Sequence, residues 1–177
     1  MQATLEDARV WVAGASRGLG RAIAEGFADA GAQIAVTARS ADGLADAGFW
    51  VPQGSVSDGD DVDRAAGAID EEWGGLDVLV NCAGISPNMT RSEDVPADEW
   101  QDGLDVNLTG TVRCSEAASR LLAAGSGAIV NVSSIHGSVG MPRLAAYSSI
   151  KGAVDALTRT LAVEWADTLT PIGTPNS

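Results

Sequence analysis

An α/β protein with a doubly wound parallel sheet follows from three features of this chain. Short apolar runs rich in β-branched residues alternate with stretches of helical length, a glycine-rich turn joins the first such pair, and no linker, repeat or domain boundary interrupts the order over residues 1–177. Residues 9–13 form the first expected strand, followed by Gly14-Ala15-Ser16-Arg17-Gly18-Leu19-Gly20 and a helix over 21–30, with Gly31 as its stop. A second strand is expected at 33–38, and a short acidic loop or helical turn leads to a third near 49–51. Residues 60–73 have the pattern of a helix, 76–81 of a fourth strand, 97–124 of one long helix and 128–133 of a fifth strand. The last clear element is a helix over 147–165, and residues 166–177, with Pro171, Gly173 and Pro175, form an irregular tail. Strand, helix, strand in this order winds helices onto both faces of the sheet.

Composition limits the function classes. With 45% hydrophobic residues the chain buries an ordinary single core. No apolar run approaches the roughly 20 residues needed to span a bilayer. The acidic start, residues 1–7, lacks the basic opening of a signal peptide, so a cytoplasmic protein is expected. A net charge of −13 repels nucleic-acid phosphates and anionic membranes. Cys82 and Cys114 fall in a strand and a helix and are expected to be free thiols, and a single histidine, His136, leaves little for a metal site. Aspartates outnumber glutamates, and ten arginines accompany a single lysine. Salt adaptation would produce that surface, and so would GC-rich codon usage.

That single lysine, Lys151, stands four residues after the single tyrosine, Tyr147. On a helix the two side chains share a face, and a fixed ammonium beside a phenol stabilises the phenolate, which suits the hydroxyl to proton transfer. A solvated helical pair is the competing reading. Context favours chemistry: Ser134 precedes Tyr147 by thirteen residues and follows the apolar run 128–132, and strand ends are where open α/β sheets hold their sites. Glycines at 14, 18 and 20 let the backbone turn tightly after the first strand and approach a phosphate lying on the next helix N-terminus. The end of the second strand, where NAD-binding folds usually place an acid, holds Ala38 and Arg39. With Arg17 in the glycine loop, this favours a 2′-phosphate, hence NADP(H) over NAD(H), with NAD(H) still possible.

The chain resembles the short-chain dehydrogenase/reductase family, of the NADP-preferring type typified by 3-oxoacyl-carrier-protein reductases. The resemblance rests on Ala13-Gly14-Ala15-Ser16-Arg17-Gly18-Leu19-Gly20, Asn81-Cys82-Ala83-Gly84, Asn107, Asn131-Val132-Ser133-Ser134 and Tyr147 to Lys151 in that order. It implies a Rossmann-like fold and hydride transfer between a nicotinamide and a carbonyl or secondary alcohol. Tyr147 would be the general acid or base, Ser134 would hold the substrate oxygen, Lys151 would bind the nicotinamide ribose, and Asn107 would hold a relay water. It also implies that Gly14, Ser16, Arg17, Gly18, Leu19, Gly20 and Arg39 bind the cofactor, that Asn81, Ala83 and Gly84 line its adenosine side, and that Ser55 and Val56 meet the adenine. Ser55 replaces the family's usual aspartate, and Ala13 a common threonine. Met141 and Pro142 fall where the family shapes one substrate wall, and pairing through the two long helices would give a homo-oligomer, a dimer or tetramer.

Family members continue past this point with a strand, a lid, a helix and a last strand, so the fold is expected to lack that strand-helix-strand portion and to leave the fifth strand as an open edge. Two functions therefore stand side by side: an NADP-dependent oxidoreductase, and a noncatalytic form that binds dinucleotide or acts through assembly alone.

Overall fold

The computed structural model describes residues 5–40, 43–44, 47–86, 88–122 and 127–166. Strand β1 (Arg9–Ala13) pairs in parallel with β2 (Gln33–Thr37) on one side and β3 (Val78–Asn81) on the other, and β4 (Ala128–Asn131) extends beyond β3. The order β2-β1-β3-β4 reverses direction across β1, which opens a crevice above the C-terminal ends of β1 and β3. Those ends lie in one row, with Ala13 opposite both Thr37 and Asn81, and Asn81 opposite Asn131. The segments that follow each strand, namely the glycine loop, Arg39, residues 82–86 and Ser134, therefore share one rim of the sheet.

Helix α1 (Gly18–Asp29) crosses from β1 to β2 and α2 (Gly59–Trp73) leads toward β3. Between β3 and β4 run α3 (Ala97–Gly103), a π-helical turn (Leu104–Thr109) and α4 (Gly110–Ser119), and α5 (Ala145–Glu164) follows β4. The strands lack polar alternation because both sheet faces are covered. Trp11 and Ala13 pack with α2 and α4 against Ile69, Leu79 and Cys114, while Val10 and Val12 pack on the α1 side with Ala24 and Val36. Burial pushes the Cys114 thiol up to about 12, as suits an inert core residue, whereas Cys82 is half-buried. Asp58 caps α2 by accepting from the amides of Asp60 and Asp61. Among the described residues no helix is long and apolar enough to cross a membrane.

Boundaries differ from expectation at several places, among them the start of α1, at Gly18 and not 21, and the end of β4, at Asn131 and not 133. Near residue 50 the chain makes isolated parallel bridges, Ala35 to Trp50 and Ala38 to Gln53, instead of a third regular strand; Pro52 between them has no amide to donate. The fourth expected strand begins at Val78, because Leu76 bridges to Leu122 instead. The expected helix over 97–124 is broken by the π turn and ends at Ser119. Gly103 and Gly110 flank that turn, and a Cβ on Gly110 would lie 2.7 Å from Val56 Cγ2. The last helix starts two residues earlier than expected, at Ala145. Beyond Ala166 the expected tail lies outside the described residues.

Candidate active site

The glycine loop owes its path to close approaches. Gly14 has φ +92°, and a Cβ there would lie 2.3 Å from Ala83 Cα, so only glycine lets the loop after β1 cross the segment after β3. That crossing sets Ala83 and Gly84 beside the loop. A Cβ on Gly20 would sit 2.2 Å from the Gly14 carbonyl oxygen, which explains why α1 can start so tightly. Arg17 is the N-cap in extended conformation with no side-chain cap, no acid lies in the first turn, and Ser16, Arg17, Gly18 and Leu19 are all exposed. Uncapped amides, a neighbouring guanidinium and the absence of carboxylates fit the pyrophosphate of a dinucleotide. Arg39 is exposed just past β2 on the same rim.

Residues 55 and 56 are differently engaged. The Ser55 amide donates to Asp61 Oδ2 at 2.7 Å and its hydroxyl meets Ser57 Oγ at 2.8 Å, while Val56 is buried under Gly110. The Ser55 amide, with Arg64 adding to it, holds the Asp61 carboxyl below its usual range.

The Tyr147–Lys151 pair occupies the first turns of α5. Lys151 is buried; its ammonium donates to the Val132 carbonyl at 2.7 Å and lies 5.8 Å from the centre of the Tyr147 ring. Desolvation pulls the lysine below its ordinary value, while Cys82 and Asp155 oppose the shift. Burial also raises the Cys82 thiol, while the ammonium of Lys151 opposes that shift. Ser134, itself buried, follows β4 and opens a 3₁₀ turn (Ile135–Gly137) by accepting from the His136 amide at 3.3 Å. That turn packs directly on α5: a Cβ on Gly137 would meet Asp155 Oδ2 at 2.7 Å and the Lys151 carbonyl carbon at 2.9 Å.

Asn107 lies in the π turn and is nearly inaccessible. Its Oδ1 accepts from the Ile85 amide at 2.7 Å and its Nδ2 donates to the Ile85 carbonyl at 2.9 Å, clamping the loop after β3. Its own carbonyl accepts from Thr111 Oγ1 at 3.0 Å, Ser115 Oγ donates to the Thr111 carbonyl at 2.7 Å, and Asn81 Nδ2 donates to Ser115 Oγ at 3.0 Å and Asn131 Oδ1 at 2.8 Å. Asn131 Nδ2 completes the series by donating to Thr158 Oγ1 at 2.9 Å. The Asn81 side chain is thus buried beneath the strands and positions the rim from below.

Tyr147 and Asn107 line one cleft of about 300 Å³. Its other walls include Ile85, Ser86 and Asn88 from the loop after β3, Pro96 at the N-cap of α3, Asp98, Glu99 and Asp102 along that helix, and Ala146 and Ile150 from α5. The sequence reading did not assign Ser86, Asn88 or the three carboxylates to the site. The acidic first turn of α3 was visible in the sequence, but nothing local says that it faces Tyr147.

Residues 8–172 match the family model described as short chain dehydrogenase. This chain is a member of that family. It is 41% identical over 169 residues to the cis-4-hydroxycyclohexanecarboxylate dehydrogenase of Sinomonas cyclohexanicum, covering 88% of this chain and 66% of that protein. It is 37% identical over 168 residues to a 3-oxoacyl-(acyl-carrier-protein) reductase of Staphylococcus aureus, covering 88% and 67%. A gluconate 5-dehydrogenase from Burkholderia cenocepacia, solved in complex with NADP and tartrate, superposes with a TM-score of 0.86 at 28% identity, covering 98% of this chain and 72% of that one. The chain spans about two thirds of the length of the curated relatives it matches.

Proposed function

We propose that this protein is an NADP(H)-dependent oxidoreductase that interconverts a carbonyl and a secondary alcohol, with Tyr147 as general acid or base. The observation that carries the reading is a buried ammonium 5.8 Å from the ring of a tyrosine that opens on a cleft. When bound, the nicotinamide supplies or accepts the hydride. The Tyr147 hydroxyl moves the proton to or from the substrate oxygen, and the Ser134 hydroxyl holds that oxygen. Lys151 uses one of its three N–H donors on Val132 and has two left for the phenolate side and the ribose hydroxyls. Asn107 keeps the loop after β3 in place, and its carbonyl, with a second lone pair, can hold the water that continues the proton path.

NADP(H) is preferred because Arg17 and Arg39 stand on the rim where an acid would select NAD(H), and a similar protein was crystallised with NADP. The exposed faces of α4 and α5 would pair copies into a homo-oligomer. Two variants test the reading in NADPH-coupled turnover and in quenching of tryptophan fluorescence by NADPH. Tyr147→Phe should lose about 10²- to 10⁴-fold in kcat while keeping the quenching, and Arg39→Asp should move preference toward NADH. Turnover retained by Tyr147→Phe excludes its assigned role.

A further inference from the structure

The cleft that reaches Tyr147 carries charge of one sign. Of its twelve lining residues, Asp98, Glu99 and Asp102 are acidic, and none is Arg, Lys or His. Glu99 is fixed in the wall, its Oε1 accepting from the Asn88 amide at 2.9 Å and its Oε2 from Asn88 Nδ2 at 3.3 Å. Among the described residues no ion pair neutralises any of the three. Lys151, the single lysine, stands behind Tyr147 with its ammonium on the Val132 carbonyl and is not part of the lining. Ile85, Pro96, Ala146 and Ile150 supply apolar wall. An anionic substrate would shed water against that wall while facing uncompensated carboxylates, and because Asp98 and Asp102 are exposed and Glu99 is half-buried, the repulsion is one that salt screens. An uncharged substrate meets neither cost, and its hydroxyls find carboxylate acceptors.

We propose that this cleft selects uncharged ketones and secondary alcohols and rejects carboxylates and phosphate-bearing thioesters. The inference rests on the oxidoreductase reading above and narrows it to a substrate class. Two relatives are named for anionic or carrier-bound substrates, so family membership by itself does not supply this answer.

The test compares 4-oxocyclohexanecarboxamide with 4-oxocyclohexanecarboxylate, near-isosteric ketones that differ by one charge, using the full chain and NADPH at neutral pH. The amide should be favoured about tenfold or more in kcat/KM at low ionic strength, and molar salt should narrow that ratio. An Asp98→Asn/Asp102→Asn double variant should raise kcat/KM for the carboxylate by about tenfold. A carboxylate used as well as the amide, with a ratio that neither salt nor the double variant changes, overturns the charge selection while leaving the oxidoreductase reading intact. Should neither ketone turn over although NADPH still quenches fluorescence, it is the reaction reading that fails. Saturation-transfer NMR then decides the cleft separately: transfer to the amide but not to the carboxylate upholds charge selection, and equal or absent transfer overturns it.

Discussion

Replacing Gly137 by alanine tests whether the turn carrying Ser134 must lie directly on α5. The added methyl would stand 2.7 Å from Asp155 Oδ2, 2.9 Å from the Lys151 carbonyl carbon and 3.0 Å from the Gly152 amide nitrogen, where ordinary contact begins at 3.4 Å. Two of the three atoms are helix backbone and Asp155 is buried, so no side chain can swing clear. The turn must lift by roughly half an ångström, an overpacking that costs about 1–3 kcal/mol. For a chain of this size the midpoint of thermal unfolding should fall by about 2–12 °C. Ser134 begins the same turn, so kcat should drop by about tenfold to a hundredfold, the scale set by sub-ångström to 1 Å misplacement of a catalytic group. NADPH quenching should persist, because the turn follows β4, two strands away from β1 and its glycine loop. Gly140→Ala is the matched control: its Cβ meets nothing within 4 Å, and both stability and rate should stay at wild-type values. A Gly137→Ala variant that melts and turns over like the control would refute the claim that this contact sets the Ser134 position.

Two further outcomes follow from individual side chains. Asn107→Ala leaves the Ile85 amide and carbonyl without their clamp and should cost about 2–3 kcal/mol in urea unfolding; Asn107→Asp, which keeps only the acceptor half, should recover no more than part of that. Lys151 has a folded-state pKa below its ordinary 10.5, so between those values the unfolded chain binds a proton that the folded chain has released. The burial cost is present in full below the folded pKa and fades as pH rises toward 10.5. The stability of wild type relative to Lys151→Met should therefore climb through that alkaline window, by at most about 1.4 kcal/mol per pH unit. A flat difference would show that the ammonium is not desolvated as described.

Local spacing made much of this site legible. Tyr147 and Lys151 are one helical turn apart, and a β-branched run followed by serines locates the end of β4, so their placement needs no long-range information. The glycine loop is legible for the same reason, since its spacing encodes a turn. What escaped the sequence reading depends on contacts between distant segments: the Asn107 clamp on Ile85, the crossing of Gly14 over Ala83, and the carboxylates of α3 facing α5. One signal was available and unused. Asn107, Thr111 and Ser115 recur every four residues, a polar stripe on a helix that turns out to face the sheet. Near residue 50, composition suggested a strand and proline denied it the ladder.

The Asn81–Asn131 contact has a consequence for how the sheet finds its alignment. Parallel strands made of Val, Leu, Ile and Ala are nearly interchangeable along their length, and an apolar interface tolerates a shift of two residues at little cost, because the same faces stay buried. A buried amide does not tolerate it: sliding β4 past β3 would strip Asn131 from both Asn81 and Thr158 and leave its oxygen and nitrogen unpaired in a dry interior. That rung therefore acts as a register key. Exchanging both asparagines for a matched apolar pair should leave a sheet that folds but holds several alignments, with Ser134 delivered to a different height on the rim in each.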